Sequence, residues 1–283
     1  MGEHFFIYNN NFCKEDTPVM GMGNRALMYG DGLFETMRIH QTIIVNRSLH
    51  FDRFFAGIRL LKFPLSENFT KDFFSQKIRE LLIKNTIEHT ARVRLMAFRK
   101  EEDSINHYKG SFNYIIEAWP MEEAVILNES GLEVDIFKDV KRSCDLFSNI
   151  KSNNYLAGVM AQLFAKENKL DECLLLNSFG RICESAIANV FIVKENVIFT
   201  PPLSEGCVAG VVRRWLIENL PFPEYQILQK ELTPEEVQGA DEIFLTNSIK
   251  PVRWVHTFQG RMFGNTMSLK IARYVHKYMH GGD

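Results

Sequence analysis

Asn149-Ile150-Lys151-Ser152-Asn153-Asn154-Tyr155 and the later stretch Arg181-Ile182-Cys183-Glu184-Ser185-Ala186-Ile187-Ala188-Asn189-Val190-Phe191 decide how this chain is read. Lys151 stands ahead of a helical pattern over residues 153–167, so its amine is expected to leave from a capped element end. Alone, a lysine there is ordinarily a solvated surface charge. Glu184 follows 33 positions later (184 − 151 = 33), between an apolar run and a small-residue turn that leads into a second apolar run. A carboxylate in such surroundings is costly unless it is paired or functional. The bland reading is a turn acid bonded to backbone amides.

Working outward, residues 33–39 and 42–45 read as a β-hairpin, rich in β-branched and aromatic side chains. Residues 48–63 switch to helical spacing, with Phe51, Phe54, Phe55, Ile58 and Leu61 on one side and Pro64 as a stop. A second helix is expected over 70–85, and strands over 91–99 and 112–119. Pro120 and the polar residues after it mark a junction. Beyond it come short apolar runs at 132–137, 172–177, 189–193, 197–200 and 241–246. Thr233-Pro234-Glu235-Glu236 is a helix start with proline at the first helical position, and a last helix is expected over 267–279. The fold class is therefore α+β in two domains: residues 1–117, a linker over 118–125, and residues 126–283.

Composition excludes several classes. The chain has 283 residues and a formal net charge of -2, with its basic residues scattered, so nothing recommends nucleic acid or an anionic membrane as partner. No apolar run approaches the ~20 residues a membrane span requires, and no secretory signal pattern opens the chain. Its five cysteines are widely spaced without a CxxC, and its eight histidines lack ligand spacing. We expect a cytoplasmic protein with no metal site.

Three further features bear on chemistry. Gly210-Val211-Val212-Arg213 opens a helix, and the free amides of a helix start form a natural phosphate cradle. Thr246-Asn247-Ser248 follows a strand and offers a second one. Arg53 offers a bidentate fork, though by itself it reads as an exposed helix arginine.

Taken with Tyr29-Gly30-Asp31-Gly32-Leu33-Phe34-Glu35-Thr36-Met37-Arg38, His50-Phe51-Asp52-Arg53 and Thr200-Pro201-Pro202, these segments resemble the class IV aminotransferases, the fold-type IV pyridoxal-phosphate enzymes, over nearly the whole chain. The resemblance implies an N-terminal α/β sandwich and a C-terminal cofactor-binding pseudo-barrel of short strands with flanking helices. It implies pyridoxal 5'-phosphate bound covalently by Lys151, which also moves the substrate proton, with Glu184 as partner of the pyridine nitrogen. Arg53, the amides of Val211 and Val212, and Ser248 would hold the phosphate, and Tyr155 would join the cofactor site. Tyr29, Phe34 and Arg38 match substrate-pocket positions, while Arg94 and Arg99 lie on the strand that supplies carboxylate-binding arginines. By alternation Arg94 shares a face with Arg92, and Arg99 shares one with Val93, Leu95 and Ala97. A neighbouring subunit completes the pocket in relatives, which implies a homodimer. This sequence departs from the pattern at Val212, often Thr, and at Ser185, often Gly.

Three activities of the family compete: transamination between a branched-chain-like amino acid and a 2-oxo acid, 4-amino-4-deoxychorismate lysis to pyruvate and 4-aminobenzoate, and D-amino acid transamination. Phe34-Glu35-Thr36 and Leu245-Thr246-Asn247-Ser248 look like the lyase branch. Against it, Arg99 is followed by Lys100-Glu101-Glu102-Asp103 where lyases often carry a Gly-Gly-Arg-Gly-Tyr-like stretch. The Gly-Thr-Ala pattern of branched-chain enzymes is also missing. Transamination, the commoner activity, is the expectation.

Overall fold

The computed structural model describes residues 3–100, 112–123 and 126–279; Glu101, Glu102 and Asp103, and the end of the expected linker, lie outside them. The described residues form two compact units, one within Met1–Glu123 and Ile150–Asn154, the other within Ala124–Asn149 and Tyr155–Asp283. Both mix helices with sheet, which makes the fold class α+β.

The first unit contains β1 (Phe5–Tyr8), β2 (Asn11–Lys14), α1 (Arg25–Tyr29), β3 (Gly32–His40), β4 (Ile43–Ile44), α2 (Arg47–Leu60), α3 (Lys71–Lys84), β5 (Thr90–Arg99) and β6 (Phe112–Pro120). Among the described residues its sheet has six strands in the order β2-β1-β6-β5-β3-β4, every neighbour antiparallel. Register in β3 and β5 sorts the side chains onto two faces. Leu33, Met37, Ile39, Ala91, Val93, Leu95 and Ala97 face α2 and α3, and their burial with Phe51, Phe54, Phe74, Ile78 and Leu81 makes the main core. Phe34, Thr36, Arg38, Arg92, Arg94 and Met96 point the other way.

Helix α2 stops at Leu60, short of the expected Phe63, because Lys62 turns left-handed (φ 55°) and the Phe63 amide reaches back to the Ile58 carbonyl at 2.9 Å. Pro64 follows a helix that has already ended. Helix α3 keeps the expected limits as caps: the Thr70 hydroxyl accepts from the Phe73 amide at 3.1 Å, and Asn85 closes the other end.

The second unit runs β7 (Leu132–Arg142), α4 (Leu156–Glu167), β8 (Glu172–Asn177), β9 (Ile182–Ser185), β10 (Asn189–Lys194), β11 (Val197–Thr200), a 3-10 turn (Leu203–Glu205), α5 (Val211–Asn219), β12 (Gln226–Gln229), α6 (Pro234–Gln238), β13 (Glu242–Thr246), β14 (Arg253–Phe258), β15 (Arg261–Met262) and α7 (Thr266–Met279). Its sheet passes from β12 through β11, β10, β13, β14, β7 and β8 to β9. The two ends then meet, since the Ile182 amide on β9 donates to the carbonyl of Leu232, just past β12, at 2.8 Å. This closure makes the pseudo-barrel. Its interior is filled by Val134, Ile136, Leu174, Ile182, Val190, Ile192, Ile243, Leu245 and Val255. Thr233 starts α6 with a full capping box to Glu236, proline at the first position, as its sequence predicts.

One expectation is overturned. Helix α4 begins at Leu156, not at residue 153, and Tyr155 ahead of it makes no side-chain cap. Ser152 instead forms an isolated antiparallel bridge with Leu33, and the backbone groups of Lys151 and Asn153 are satisfied by Phe34 and Gly32 of β3 rather than by a helical turn. Lys151 therefore leaves from a strand-like segment and not from a capped helix start.

Candidate active site

Lys151 is fixed by its backbone. The Phe34 amide donates to the Lys151 carbonyl and the Asn153 amide to the Gly32 carbonyl, each at 2.9 Å. A side chain on Gly32 would sit 2.5 Å from Asn153 Nδ2, so the close pairing needs a bare glycine. This register puts Lys151 beside Phe34, with Nζ 4.7 Å from the ring centroid. Arg94 lies over the same ring, its Cζ 4.4 Å from the centroid. Three expected site residues are thus gathered on the sheet face turned away from the helices.

Arg38 is on that face too and is almost fully buried. Burial pulls its pKa down while Glu123 supports the charge. The Arg94 Nε is buried with no hydrogen-bond partner among the described residues, and Glu117 stands opposite it in the strand register. Burial shifts this pair in both senses, lowering Arg94 and raising Glu117.

Arg99 is elsewhere, as its alternation predicts. Its Nε donates to Asp31 at 2.7 Å and its Nη2 to the Leu61 carbonyl at 2.8 Å, and its guanidinium covers Phe63. These bonds tie β5 to the end of α2. Tyr29 ends α1 and is about half exposed, with Arg25 over its ring.

Arg53 is on the helix side. Its Nε and Nη2 grip the two oxygens of Glu35 at 2.7 and 2.6 Å, and His50 Nδ1 lies 2.6 Å from the same carboxylate. Burial opposes the Glu35 charge most strongly, yet Arg53 and His50 outweigh it and hold the pKa down to about 2. Burial pushes His50 below its ordinary value, against the pull of Glu35, and a carboxylate partner requires the proton on Nδ1. Neither Glu35 nor His50 stood out as a site residue by sequence alone. The readable signal was an acid inside an apolar strand, together with His50 and Arg53 spaced i, i+3 on one helix face.

The second unit holds the remaining residues. Glu184 on β9 is buried, accepts from the Val208 amide at 2.9 Å and lies 3.0 Å from Arg142 Nε. A register shift between Phe137 and Lys141 on β7 brings Arg142 to this position. Val208 belongs to a loop strung by asparagines: Asn149 Nδ2 donates to the Leu203 and Cys207 carbonyls at 2.8 and 2.7 Å, and Asn189 Nδ2 to the Val208 carbonyl at 2.9 Å. That loop delivers Gly210, whose missing side chain would fall 1.8 Å from Asn189 Oδ1, and then α5 with no side-chain cap. The first amides of α5, Val211 and Val212, are the ones a helix leaves without intrahelical partners.

Ser185 is absorbed by a turn, its hydroxyl accepting from the Ala188 amide at 3.0 Å. Ser248 lies in a turn headed by Asn247, whose Oδ1 accepts from the Ile249 and Lys250 amides at 2.9 and 2.7 Å. The neighbouring Thr246 hydroxyl is buried with no partner among the described residues. The Tyr155 hydroxyl donates to the Ala186 carbonyl, and burial, then Glu184, raises its pKa. Gly158 makes room for this contact, because a side chain there would meet the Tyr155 ring at 2.7 Å.

Taken each by itself, the first unit offers an amine and a guanidinium, and the second a buried acceptor, an uncapped helix start and a hydroxyl with no partner among the described residues, the donor types an aldehyde with an anionic tail calls for. No group of three or more metal-ligating side chains occurs among the described residues, and none of the described helices is long and apolar enough to cross a membrane.

Acid should expose the Glu35 ion pair. A carboxylate whose pKa falls on folding stabilises the fold above its unfolded value, and that contribution is lost as pH drops towards the folded one. In chemical denaturation, the stability gap between wild type and Glu35→Gln should be widest above about pH 4.5 and should narrow as pH falls towards 2. A gap independent of pH would show that the charge of Glu35 contributes nothing.

Comparison with known proteins gives the family. The class IV aminotransferase family model matches residues 32–258. A branched-chain-amino-acid aminotransferase of Pseudomonas aeruginosa is 27% identical over 84% of this chain and 80% of its own length. A D-alanine aminotransferase of Bacillus licheniformis is 23% identical over 92% of this chain and 90% of its own. Among solved structures, a branched-chain aminotransferase of Thermoproteus uzoniensis, determined with norvaline, superposes with a TM-score of 0.89 at 22% identity, covering 100% of this chain and 96% of that one. The chain belongs to the class IV aminotransferases, enzymes that use pyridoxal phosphate.

Proposed function

We propose that this enzyme moves an amino group between an amino acid with a branched-chain-like side chain and a 2-oxo acid, with Lys151 as its reactive amine. The observation that carries the proposal is the amine itself, pinned by backbone pairing beside Phe34 in a chain whose family match spans both units. Pyridoxal 5'-phosphate, when bound, supplies an aldehyde for that amine and a ring that takes up carbanion electrons. Arg53, Val211, Val212 and Ser248 would hold its phosphate, Glu184 its ring nitrogen, and Tyr155 would complete the cofactor contacts. Lys151 Nζ would take the proton from the substrate Cα.

Substrate recognition is proposed for the Lys151 face. Arg94 shares that face with Phe34 and Arg38, so Arg94 is the better carboxylate ligand, while Arg99 is occupied by Asp31 and Leu61. A lyase acting on 4-amino-4-deoxychorismate is the second reading. Thr246-Asn247-Ser248 favours it, since Asn247 heads the turn where branched-chain enzymes carry Gly-Thr-Ala. A D-amino acid aminotransferase would use the same amine.

A homodimer is proposed as the working form, in a cytoplasmic setting. Support comes from α4, where Leu156, Val159, Met160 and Leu163 expose an apolar stripe at i, i+3, i+4 and i+7 while Gly158, Ala161 and Ala165 face inward. Such a stripe suits a self-complementary contact about a two-fold axis.

Four measurements follow from this reading. Borohydride should trap pyridoxal phosphate on the wild-type protein at Lys151 and leave Lys151→Ala unlabelled; label on the mutant would sink the assignment. The same preparation should pass an amino group to 2-oxoglutarate and release no pyruvate from aminodeoxychorismate, the reverse outcome establishing the lyase. Arg94→Gln should raise the KM for the amino donor about tenfold or more, the worth of one charged hydrogen bond, whereas Arg99→Gln should chiefly lower the melting temperature. Met160→Asp with Leu163→Asp should shift the mass measured by light scattering from dimer to monomer, and an unchanged dimer would exclude α4 from the interface.

A further inference from the structure

We infer that Glu35 is a positioning residue for the phosphate of the cofactor, acting through Arg53, with His50 holding the carboxylate in place. The inference rests on the reading that the chain binds pyridoxal phosphate, and it adds two residues that would act through Arg53.

The case begins with a cost. Glu35 sits on the side of β3 that otherwise buries Leu33, Met37 and Ile39 against α2 and α3, and it is 1% exposed. Core packing alone calls for an aliphatic side chain there, because a buried ion pair is commonly no more stable than apolar residues of like volume. What an aliphatic residue cannot do is orient a guanidinium.

The geometry shows how Glu35 does so. Phe51, Phe54, Phe55 and Ile58 fasten α2 to the sheet, which fixes the root of the Arg53 side chain. The stem beyond the root is flexible, and ordering it costs rotamer entropy that binding would otherwise have to supply. Glu35 grips Nε and Nη2 in a two-point fork at 2.7 and 2.6 Å, so the plane of the guanidinium and the direction of its Nη1 edge are set. His50, three residues earlier on the same helix face, meets the second oxygen at 2.6 Å and stops the carboxylate from swinging.

Charge counting gives the opposite expectation, which makes the inference testable. A carboxylate on Arg53 cancels much of its positive charge, so on electrostatics alone Glu35→Gln would tighten the grip on an anion. Positioning predicts that it loosens.

The experiment titrates apoprotein with pyridoxal 5'-phosphate and, separately, with pyridoxal, which lacks the phosphate, and reads binding by absorbance. For Glu35→Gln the dissociation constant for pyridoxal phosphate should rise about tenfold or more, while that for pyridoxal changes by less than about twofold. Inorganic phosphate should compete with pyridoxal phosphate for the wild type and compete more weakly for the variant. His50→Asn should show the same selective loss at smaller size. If Glu35→Gln gives no folded apoprotein by circular dichroism, Glu35→Asp, which keeps the charge and loses reach, carries the same comparison. Equal losses for both ligands would make Glu35 merely structural, and tighter or unchanged binding of pyridoxal phosphate would overturn the inference outright. Wild-type protein that binds neither ligand would instead overturn the cofactor reading itself.

Discussion

Everything proposed for the chemistry depends on two backbone hydrogen bonds, Phe34 amide to Lys151 carbonyl and Asn153 amide to Gly32 carbonyl. They turn a lysine in a connecting segment into a side chain with a fixed root. A lysine stem is long and carries about 2 kcal/mol of rotamer entropy, so an amine on an untethered loop would sample many positions. Anchoring the carbonyl and the neighbouring amide to a central sheet removes the backbone part of that freedom. It also dictates the side, because pairing with Phe34 places both residues on the face opposite α2 and α3. Glycine at position 32 is part of the same constraint, as any larger residue would push Asn153 away.

The second unit uses the same economy with different parts. The connection from β11 to α5 holds only the short 3-10 turn Leu203–Glu205, so most of its backbone groups need partners from outside it. Asn149 and Asn189 donate to carbonyls in it, and Glu184 takes the Val208 amide. The carboxylate and the start of α5 are therefore one connected piece of structure. Barrel closure at Ile182 and Leu232 stiffens the strand that bears Glu184, and the register shift in β7 aims Arg142 at it. A bulge that redirects one side chain in this way is a positional device, since a regular strand would carry Arg142 past the site.

Much of this was legible in the sequence, and what was not has a physical reason. Strands such as Glu172–Asn177 and Val197–Thr200 are short apolar runs between turn residues, and they were read to the residue. Helix α3 was equally clear because Thr70 and Asn85 punctuate it. The hairpin of β1 and β2 escaped notice because its turn, Asn9 and Asn10, takes positive φ without a glycine to announce it. Helix α2 was drawn too long because Lys62, which breaks it, has no sequence signature as a left-handed residue. The start of α4 was misplaced because 151–153 has no strand pattern of its own; its conformation is imposed by β3, which is distant in sequence. Single residues with family counterparts, Lys151, Glu184 and Arg53 among them, are proposed as site residues by resemblance alone. Their immediate neighbours were missed because nothing in a linear sequence says that Glu35 and Arg53 will share a fork.

Buried acids are where sequence and structure speak most directly to each other in this protein. Glu172 is paired with Arg253 at 3.0 Å, and Glu242 receives the first amides of α7 at 2.7 and 2.8 Å. Both are accounted for by the groups they satisfy, a buried cation in one case and a helix start in the other. Glu35 and Glu184 are different in kind. Each is ringed by a guanidinium and one further contact, His50 or the Val208 amide, in a setting where an apolar residue would pack as well. Each carboxylate is thereby held at more than one point. Burial by itself does not separate the two kinds; what separates them is whether the partner would be stranded by a fold-level necessity or by the loss of an orientation.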